Sequence, residues 1–310
     1  MSRAWLPIGL ICGFLSLTSC EKPQQETPTS GKLTVCTAEA YLKLTQAEAQ
    51  QFDSLYPQAT VTVFGATTRE AIVNLLNDSV AFVIVDRQLN ADERKVEEKA
   101  KLQLEEVKIA EDALAVVLNR LNSIEKISQD TLKDILMQKI NNWAQIPESK
   151  LTGRIETVLT GRNSGAFELL QNYFFNLSEE IKPTVLQATQ SAVLHYLAHH
   201  PQAIGLISLA STGSLLKQLT TVDSLKSAKV LAISGLDSTG QRAVFKLHQA
   251  NVYLGRYPLH YPVYIYFNSR RSKLAAGFSA FVASAPGQKI ILNWGLVPAT
   301  MPVRLVQIKE

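Results

Sequence analysis

The sequence is poor in the residues that build disulfide frameworks and metal sites. Its 310 residues include three cysteines, Cys12, Cys20 and Cys36, and five histidines. His195 and His199 lie one helical turn apart, but they are not part of an HExxH pattern, so the segment indicates a solvated helix face. No cysteine pair has metal-ligand spacing either. We therefore expect no metal and no cofactor.

An excess of charge of one sign is also missing. The chain has 31 Lys and Arg residues against 27 Asp and Glu residues, a formal net charge of +4, and the basic residues are scattered. This distribution gives no indication of nucleic-acid binding. Apolar residues make up 46% of the chain, which is ordinary for a globular protein, and the length suggests about two domains.

The apolar run near the N-terminus is short. It covers residues 6–17, fewer than the roughly 20 residues that a membrane-spanning helix needs. Arg3 precedes the run and Leu17-Thr18-Ser19-Cys20 ends it, an arrangement typical of a signal peptide over residues 1–19. These last four residues resemble the bacterial lipobox, in which cleavage precedes a cysteine that receives lipid. A plain secretory signal with an incidental Cys20 is the alternative.

The segment that follows has the composition of a tether. Residues 20–31 are polar and rich in Pro, Gln and Thr, and cannot bury apolar surface. Once the signal is removed and Cys20 is lipidated, only Cys36 remains, so we expect no intramolecular disulfide and a buried, unreactive Cys36. The chain is then expected in the cell envelope, on the periplasmic side, attached to the membrane through its lipid.

Strand and helix patterns alternate after the tether. Residues 80–85 form a continuous apolar run, typical of a strand that is buried on both faces of a parallel sheet. Thr45 and Glu48 have capping-box spacing, which predicts a helix start at Thr45. The alternation predicts an α/β protein with a mostly parallel sheet. Predicted strands lie at 32–36, 59–64, 80–85, 114–118, 155–160, 203–207, 227–233 and 262–267; predicted helices lie at 70–76, 90–101, 128–139, 165–175, 191–198, 273–284 and 286–294.

Several turns after these strands carry residues suited to an anion. Open α/β sheets bind ligands at the carboxyl ends of their strands. Hydroxyls, glycines and helix N-termini found there can hold an oxyanion, although ordinary helix caps use the same residues. The turns are Thr37-Ala-Glu-Ala40, Gly65-Ala-Thr-Thr-Arg69, Asp86-Arg87 and Gly161-Arg-Asn-Ser-Gly165.

Asp86 is the most discriminating of these candidates. A carboxylate repels an anion unless the anion donates a proton to it, as HPO4(2−) can and sulfate at neutral pH cannot. The alternative is that Asp86 caps a helix or pairs with Arg87. No nucleophile, base and orienting group coincide in the sequence, so we do not expect an enzyme.

The chain resembles the phosphate-binding proteins of bacterial phosphate ABC importers, which are type II periplasmic solute-binding proteins. The resemblance covers residues 32–300 and rests on motifs in a fixed order. These are Val63-Phe-Gly-Ala-Thr-Thr-Arg-Glu70, Val85-Asp-Arg-Gln-Leu89, Glu111-Asp-Ala-Leu-Ala-Val-Val-Leu-Asn119, Lys139-Ile-Asn-Asn-Trp143, Gly161-Arg-Asn-Ser-Gly165, Ala203-Ile-Gly-Leu206, Tyr257-Pro-Leu-His-Tyr-Pro-Val-Tyr-Ile-Tyr266 and Gly295-Leu-Val-Pro298.

The resemblance implies a two-domain, periplasmic-binding-protein-like fold with the ligand in the interdomain cleft. Residues 32–112 and 256–310 would form the first domain, and residues 113–255 the second. Carried over by position from the family, the residues that would contact phosphate are Thr37, Thr67, Thr68, Asp86, Arg162, Ser164 and Gly165. A monomeric protein would pass the phosphate to an inner-membrane ABC permease.

Two residues depart from the family pattern. Ala166 stands where the family has a hydroxyl, and Glu39 stands where a small residue is usual. They leave two alternatives open. One is a binder of another oxyanion or of a phosphorylated small molecule. The other is a structural or signalling lipoprotein that binds nothing.

Overall fold

A computed structural model describes residues 25–175, 180–211, 227–236 and 240–300 of the chain. The predicted signal peptide and the predicted lipidation site, Cys20, lie outside these residues. Among the helices described, none combines the length and the apolar character that crossing a membrane requires.

The described chain alternates strands and helices, as the sequence predicts. Its strands are β1 (Gly31–Ala38), β2 (Ala59–Ala66), β3 (Phe82–Val85), β4 (Glu105–Asn119), β5 (Lys126–Ser128), β6 (Glu156–Thr160), β7 (Val185–Gln187), β8 (Ala203–Ser208), β9 (Ala228–Val230), β10 (Ala232–Leu236), β11 (Arg242–Phe245), β12 (His260–Phe267) and β13 (Val297–Pro298). Its α-helices are α1 (Leu42–Leu55), α2 (Thr68–Leu76), α3 (Ala91–Lys99), α4 (Gln129–Leu136), α5 (Gly165–Phe174), α6 (Gln190–His199), α7 (Gln249–Tyr253), α8 (Lys273–Ala283) and α9 (Ala285–Asn293). A short 3₁₀-helix, Glu39–Tyr41, links β1 to α1.

One long strand, β4, runs through both halves of the molecule. Its residues 105–113 pair with β12, and its residues 114–118 pair with β8. The large sheet has the order β2-β1-β3-β12-β4-β8-β6-β7, with β9 and β13 also paired to β4. We call the half that contains β1, β2, β3 and β12 the first lobe, and the half that contains β6, β7 and β8 the second lobe. The predicted α/β class is confirmed, but the expectation of a mostly parallel sheet is wrong, because β12 runs antiparallel to β3 and β4, and β4 runs antiparallel to β8.

The sheet of the first lobe is covered on both faces. Along β3, Phe82 and Ile84 pack in the core formed with α1, α8 and α9, whereas Val83 and Val85 pack against α2. Successive side chains of a strand point to opposite faces, so a strand covered on both sides needs a continuous apolar run. Cys36 is fully buried in the second of these clusters, and burial raises its pKa to about 11. The predicted burial of Cys36 is confirmed, and its lack of reactivity stays a prediction.

A buried carboxylate lies where β4 passes between the lobes. Asp112 accepts hydrogen bonds from the hydroxyls of Tyr41 at 3.0 Å, Tyr261 at 3.0 Å and Ser208 at 2.5 Å. Tyr41 lies in the 3₁₀-helix after β1, Tyr261 lies in the returning strand β12, and Ser208 ends β8. One side chain therefore connects the outgoing strand, the returning strand and both lobes. The predicted domain limits, at 112–113 and 255–256, stay a prediction.

The predicted start of the first helix at Thr45 is wrong. Helix α1 begins at Leu42, directly after the 3₁₀-helix, and the Thr45 hydroxyl donates to the carbonyl oxygen of Tyr41 at 2.9 Å. Residues three apart also share a face inside a helix, so capping-box spacing alone does not fix where the helix starts. Here Thr45 and Glu48 both lie on the buried face of α1.

Glu48 is a buried acid without a partner. Its side chain is 1% exposed, and neither of its oxygens has a hydrogen-bond partner in the described structure. Burial raises its pKa to about 9, because an unpaired carboxylate is poorly solvated inside the protein. At neutral pH the folded chain therefore holds a proton on Glu48 that the unfolded chain releases.

We expect Glu48→Met to stabilise the protein above pH 5. The pKa of Glu48 is higher in the folded state than in the unfolded state, where it has its ordinary value of 4.5. The free energy of unfolding of the wild type therefore falls as the pH rises from 4.5 to about 9. The fall attributable to this group is about 1.4 kcal/mol per pH unit. Urea denaturation at about pH 5 and about pH 8 measures it, and we expect Glu48→Met to gain about 4 kcal/mol over the wild type between these two pH values.

The matched control is Gln50→Met, an exposed substitution on the same helix. It should leave the pH dependence of the free energy of unfolding unchanged. An unchanged slope in Glu48→Met would show that Glu48 is not the titrating group.

Candidate functional site

Strands β1, β2 and β3 of the first lobe and strands β6 and β7 of the second point their carboxyl ends at one cavity. It has a volume of about 260 Å³ and is lined by residues 38–40, 66–68 and Asp86 of the first lobe. The second lobe contributes residues 160, 161, 164–166, 187, 188 and 190. The lining thus comes from the turns after β1, β2, β3, β6 and β7, the edge at which open α/β sheets bind their ligands.

Three helices begin at this cavity. The hydroxyl of Thr67 caps α2 by accepting from the N–H of Glu70, and Ser164 caps α5 by accepting from the N–H of Phe167. Thr189 caps α6 in the same way. Each helix start carries unpaired N–H groups and a partial positive charge from the helix dipole. Together they make the potential in the cavity favourable to negative charge.

Asp86 and Thr68 connect the first lobe to the second. The Thr68 hydroxyl donates to Oδ1 of Asp86 at 2.8 Å and accepts from the N–H of Gly165 at 3.0 Å. Asp86 is 3% exposed, and burial raises its pKa to about 6, although the bond from Thr68 acts in the opposite direction. The alternatives for Asp86, a cap of α3 or a partner of Arg87, do not hold, because Asn90 caps α3 and Arg87 pairs with Glu93.

Further contacts cross the cleft between the lobes. The N–H of Arg69 donates to the carbonyl oxygen of Asn163 at 3.2 Å, and the guanidinium of Arg87 pairs with Glu168. Glu39 reaches from the first lobe to α6, where its Oε2 accepts from the N–H of Gln190 at 3.1 Å. These bonds join backbone and side chains of both lobes directly, so the structure is a closed arrangement of the two lobes.

The seven predicted residues are not all at the cavity. Thr67, Thr68, Asp86, Ser164 and Gly165 line it. Their role as ligand contacts stays a prediction.

Thr37 and Arg162 lie elsewhere. Thr37 is fully buried behind the cavity wall, where its hydroxyl donates to the carbonyl oxygen of Ala38 at 3.3 Å. The Arg162 side chain is 54% exposed, pairs with Glu180 and lies with its guanidinium carbon 5.3 Å from the ring centre of Phe167. It borders a larger groove of about 710 Å³ outside the cavity. Ligand contact by these two residues also stays a prediction.

Sequence reasoning missed the contribution of α6. Gln190, the first residue of α6, lines the cavity. Its side-chain oxygen accepts from the N–H of Ser208 at 2.6 Å. The turn before α6 follows β7, a strand of three residues that the apolar pattern did not reveal. Thr189, two residues ahead of the predicted helix at 191–198, was the one signal available, because threonine is a favoured N-cap.

Gly165 permits the closest approach between the lobes. A Cβ atom on Gly165 would lie 1.8 Å from Oδ2 of Asp86, whereas a Cβ atom on Gly161 would meet nothing within 4 Å. Both glycines line the cavity. Position 165 therefore requires glycine because there is no room for a side chain beside Asp86.

We expect Gly165→Ala to hold the lobes apart. The added methyl group cannot fit beside a buried carboxylate, and forced overpacking of this kind costs about 1–3 kcal/mol. Small-angle X-ray scattering should show a larger radius of gyration than in the wild type. Gly161→Ala is the matched control and should scatter as the wild type does; equal scattering from Gly165→Ala would contradict the prediction.

Comparisons with known proteins identify the fold. Residues 22–286 match the model of the PBP superfamily domain. The phosphate-binding protein PstS of Bacillus subtilis is 24% identical over 307 residues, which is 97% of this chain and 92% of that protein. PstS of Pseudomonas aeruginosa strain PAO1 is 22% identical over 303 residues, covering 93% of this chain and 89% of that protein.

Solved structures agree with these sequence relatives. A candidate phosphate ABC transporter substrate-binding protein of Clostridium perfringens, with bound phosphate, has a TM-score of 0.72 and 19% identity. It is matched over all of its length by 87% of this chain. An ABC-type phosphate transport receptor of Vibrio cholerae has a TM-score of 0.64 and 22% identity, over 86% of this chain and 100% of that one. The predicted two-domain fold of the type II binding proteins is confirmed.

Proposed function

The chain belongs to the PBP superfamily, and we propose that it is a phosphate receptor. In this proposal it binds inorganic phosphate in the cavity between its lobes, without catalysing a reaction, and delivers it as a monomer to an inner-membrane ABC permease. The observation that carries the proposal is that the starts of α2, α5 and α6 meet at one cavity that also contains Asp86.

The helix starts supply donors for an anion. The N–H groups of Thr68 and Ala166, in the first turns of α2 and α5, have no hydrogen-bond partner in the described structure. N–H groups in this position, together with the helix dipole, bind phosphate in many proteins. They are the first donors that we propose for phosphate.

Asp86 supplies the complementary acceptor. Thr68 is the one side chain that donates to it in the described part of the chain, and it reaches only Oδ1. A hydroxyl of protonated phosphate can donate to the carboxylate, whereas sulfate at neutral pH has no proton to offer. Asp86 therefore supports selection of phosphate over sulfate.

The other predicted residues have different roles in this proposal, according to their distance from the cavity. Thr67 and Ser164 lie at the cavity wall as helix caps, and Gly165 lies beside them with its N–H donated to Thr68. Thr37 lies behind the wall and orients it, and Arg162 lies at the rim, where its charge attracts an incoming anion. An exposed charge at a rim acts mainly on the rate of association.

The names of the relatives support the same ligand. The two PstS proteins are phosphate-binding proteins, and the Clostridium perfringens structure contains phosphate.

We also propose that Cys20 carries a lipid and holds the protein at the periplasmic side of the cell envelope. The support is the sequence Leu17-Thr18-Ser19-Cys20 after a short apolar run, followed by a polar tether. Metabolic labelling with a fatty acid should mark the wild type and not Cys20→Ser. Labelling of both proteins would refute the anchor.

A second function is favoured by one observation. The lobes are joined by bonds between their own residues, and Glu39 lies at the start of α6, where an anion would be expected to bind. A lipoprotein that binds nothing would have these features. Binding of another oxyanion or of a phosphorylated small molecule is the remaining alternative.

We expect calorimetry on protein stripped of phosphate to show binding of inorganic phosphate at one site per chain. Sulfate and molybdate in excess should not displace it, because neither supplies the proton that Asp86 accepts at neutral pH. Thr68→Val should weaken binding at least tenfold, about 1.4 kcal/mol, since it removes a hydroxyl that lines the cavity and orients Asp86.

Arg162→Ala is the comparison variant in the same experiment. An exposed ion pair contributes little, so we expect a loss of affinity below about threefold, seen mainly as slower association. Absence of any phosphate response would favour the non-binding alternative, and displacement by sulfate would favour a general oxyanion site.

A further inference from the structure

Two acidic side chains share the cavity between the lobes. Asp86 comes from the turn after β3, and Glu39 comes from the 3₁₀-helix after β1. Among the residues that line this cavity in the described structure, none is Lys, Arg or His. A negatively charged ligand would therefore meet two carboxyl groups and no cationic side chain.

The nearby cations are directed elsewhere. Arg87 is paired with Glu93 and Glu168, and Arg162 is paired with Glu180. Lys43, in the first turn of α1, acts electrostatically on Glu39 but does not line the cavity. The cavity consequently relies on backbone N–H groups and helix dipoles for its positive potential.

Glu39 is held at the cavity by a bond across the cleft. Its Oε2 accepts from the N–H of Gln190, the first residue of α6, at 3.1 Å. Gln190 is held in turn by the N–H of Ser208, which donates to its side-chain oxygen at 2.6 Å. The carboxyl group of Glu39 is therefore fixed at the cavity wall by a bond to the opposite lobe.

Phosphate exists near neutral pH as H2PO4(−) and HPO4(2−). The monoanion has two hydroxyl donors, one for each carboxylate of the cavity. The dianion has one, so one carboxylate would face an anionic oxygen without a proton between them, which is repulsive. A cavity with two carboxylates and no cationic side chain therefore binds H2PO4(−) in preference to HPO4(2−).

We propose that Glu39 is a second proton acceptor of this site and that, with Asp86, it makes the protein select the monoanion H2PO4(−). The inference rests on the proposed function, since it concerns phosphate in the same cavity. The complex contains one more proton than a complex of HPO4(2−) with ionised Asp86 and Glu39. Whether that proton lies on the phosphate oxygen or on Oε1 or Oε2 of Glu39, the proton count is the same.

The charged groups around both carboxyls agree with this proton count. Glu39 faces Lys43 of α1 and the N–H of Gln190, while Asp86 faces Glu168 of α5 and Asp112 of β4. Burial raises the pKa of Glu39, and the pKa of Asp86 is about 6. Both groups therefore accept a proton more readily than an exposed carboxylate does.

The experiment is calorimetric titration with inorganic phosphate in buffers of different ionisation enthalpy, at about pH 6 and about pH 8.5. The heat difference between buffers gives the number of protons taken up. For the wild type we expect uptake of nearly one proton per phosphate at the higher pH. The affinity for total phosphate should fall about tenfold per pH unit above neutrality, since each bound ion requires one proton.

Glu39→Gln should abolish most of this pH dependence. An amide of similar size cannot accept the proton, so proton uptake should fall close to zero and affinity at the higher pH should exceed that of the wild type at least tenfold. Glu98→Gln is the matched control, because it makes the same charge change at an exposed position of α3 and should behave as the wild type does.

Three results would separate the hypotheses. Phosphate binding by the wild type without proton uptake would overturn the role of Glu39 and leave the proposed function intact. Proton uptake that persists in Glu39→Gln would also overturn it, since another group would be the acceptor. No phosphate binding at either pH would refute the proposed function itself.

Discussion

The arrangement of the lobes depends on the buried carboxylate of Asp112. It accepts from Tyr41 and Tyr261 in the first lobe and from Ser208 in the second, at the point where β4 and β12 cross between them. Burial raises the pKa of Asp112, and these donors offset part of the cost of burying its charge. Ser208 also donates its N–H to Gln190, whose own N–H binds Glu39. Hydrogen bonds thus run without interruption from the crossing strands to the cavity wall, so the angle between the lobes and the shape of the cavity are linked.

The cavity balances two opposing electrostatic contributions. Three helix starts make it positive, and the carboxyl groups of Glu39 and Asp86 make it negative. Each helix terminus is equivalent to about half an elementary charge, and the effect is confined to the first turn. The bond from Gln190 to Glu39 shows one such pairing inside the protein. A ligand that accepts from the N–H donors and donates to the carboxylates satisfies both contributions, as an ion with both bare and protonated oxygens does.

Sequence reasoning recovered what depends on local pattern. The apolar run of β3 and the hydroxyl turns before α2 and α5 predicted a layered α/β fold, and five of the seven candidate residues line the cavity. The positions of Thr37 and Arg162 relative to the cavity were harder to predict. Tertiary packing sets both the direction of a strand side chain such as Thr37 and the ion-pair partner of a flexible side chain such as Arg162. Residues 105–113 of β4 mix charged and apolar side chains without regular alternation, and their partners in β12 lie about 150 residues away in the chain. Only long-range pairing identifies that segment as the strand that joins the lobes.

Closure of the lobes has both favourable and unfavourable contributions to its free energy. The bonds donated by the N–H of Gly165 to Thr68 and by the N–H of Arg69 to Asn163 favour the closed arrangement without any ligand. Closure also buries Asp86, and the raised pKa of Asp86 measures how poorly its charge is solvated there. A ligand that donates to this carboxylate removes that penalty, whereas one that cannot donate leaves it in place. Since a ligand shifts a conformational equilibrium only by its differential affinity for the two states, the buried carboxyl group makes closure respond to protonated anions in particular.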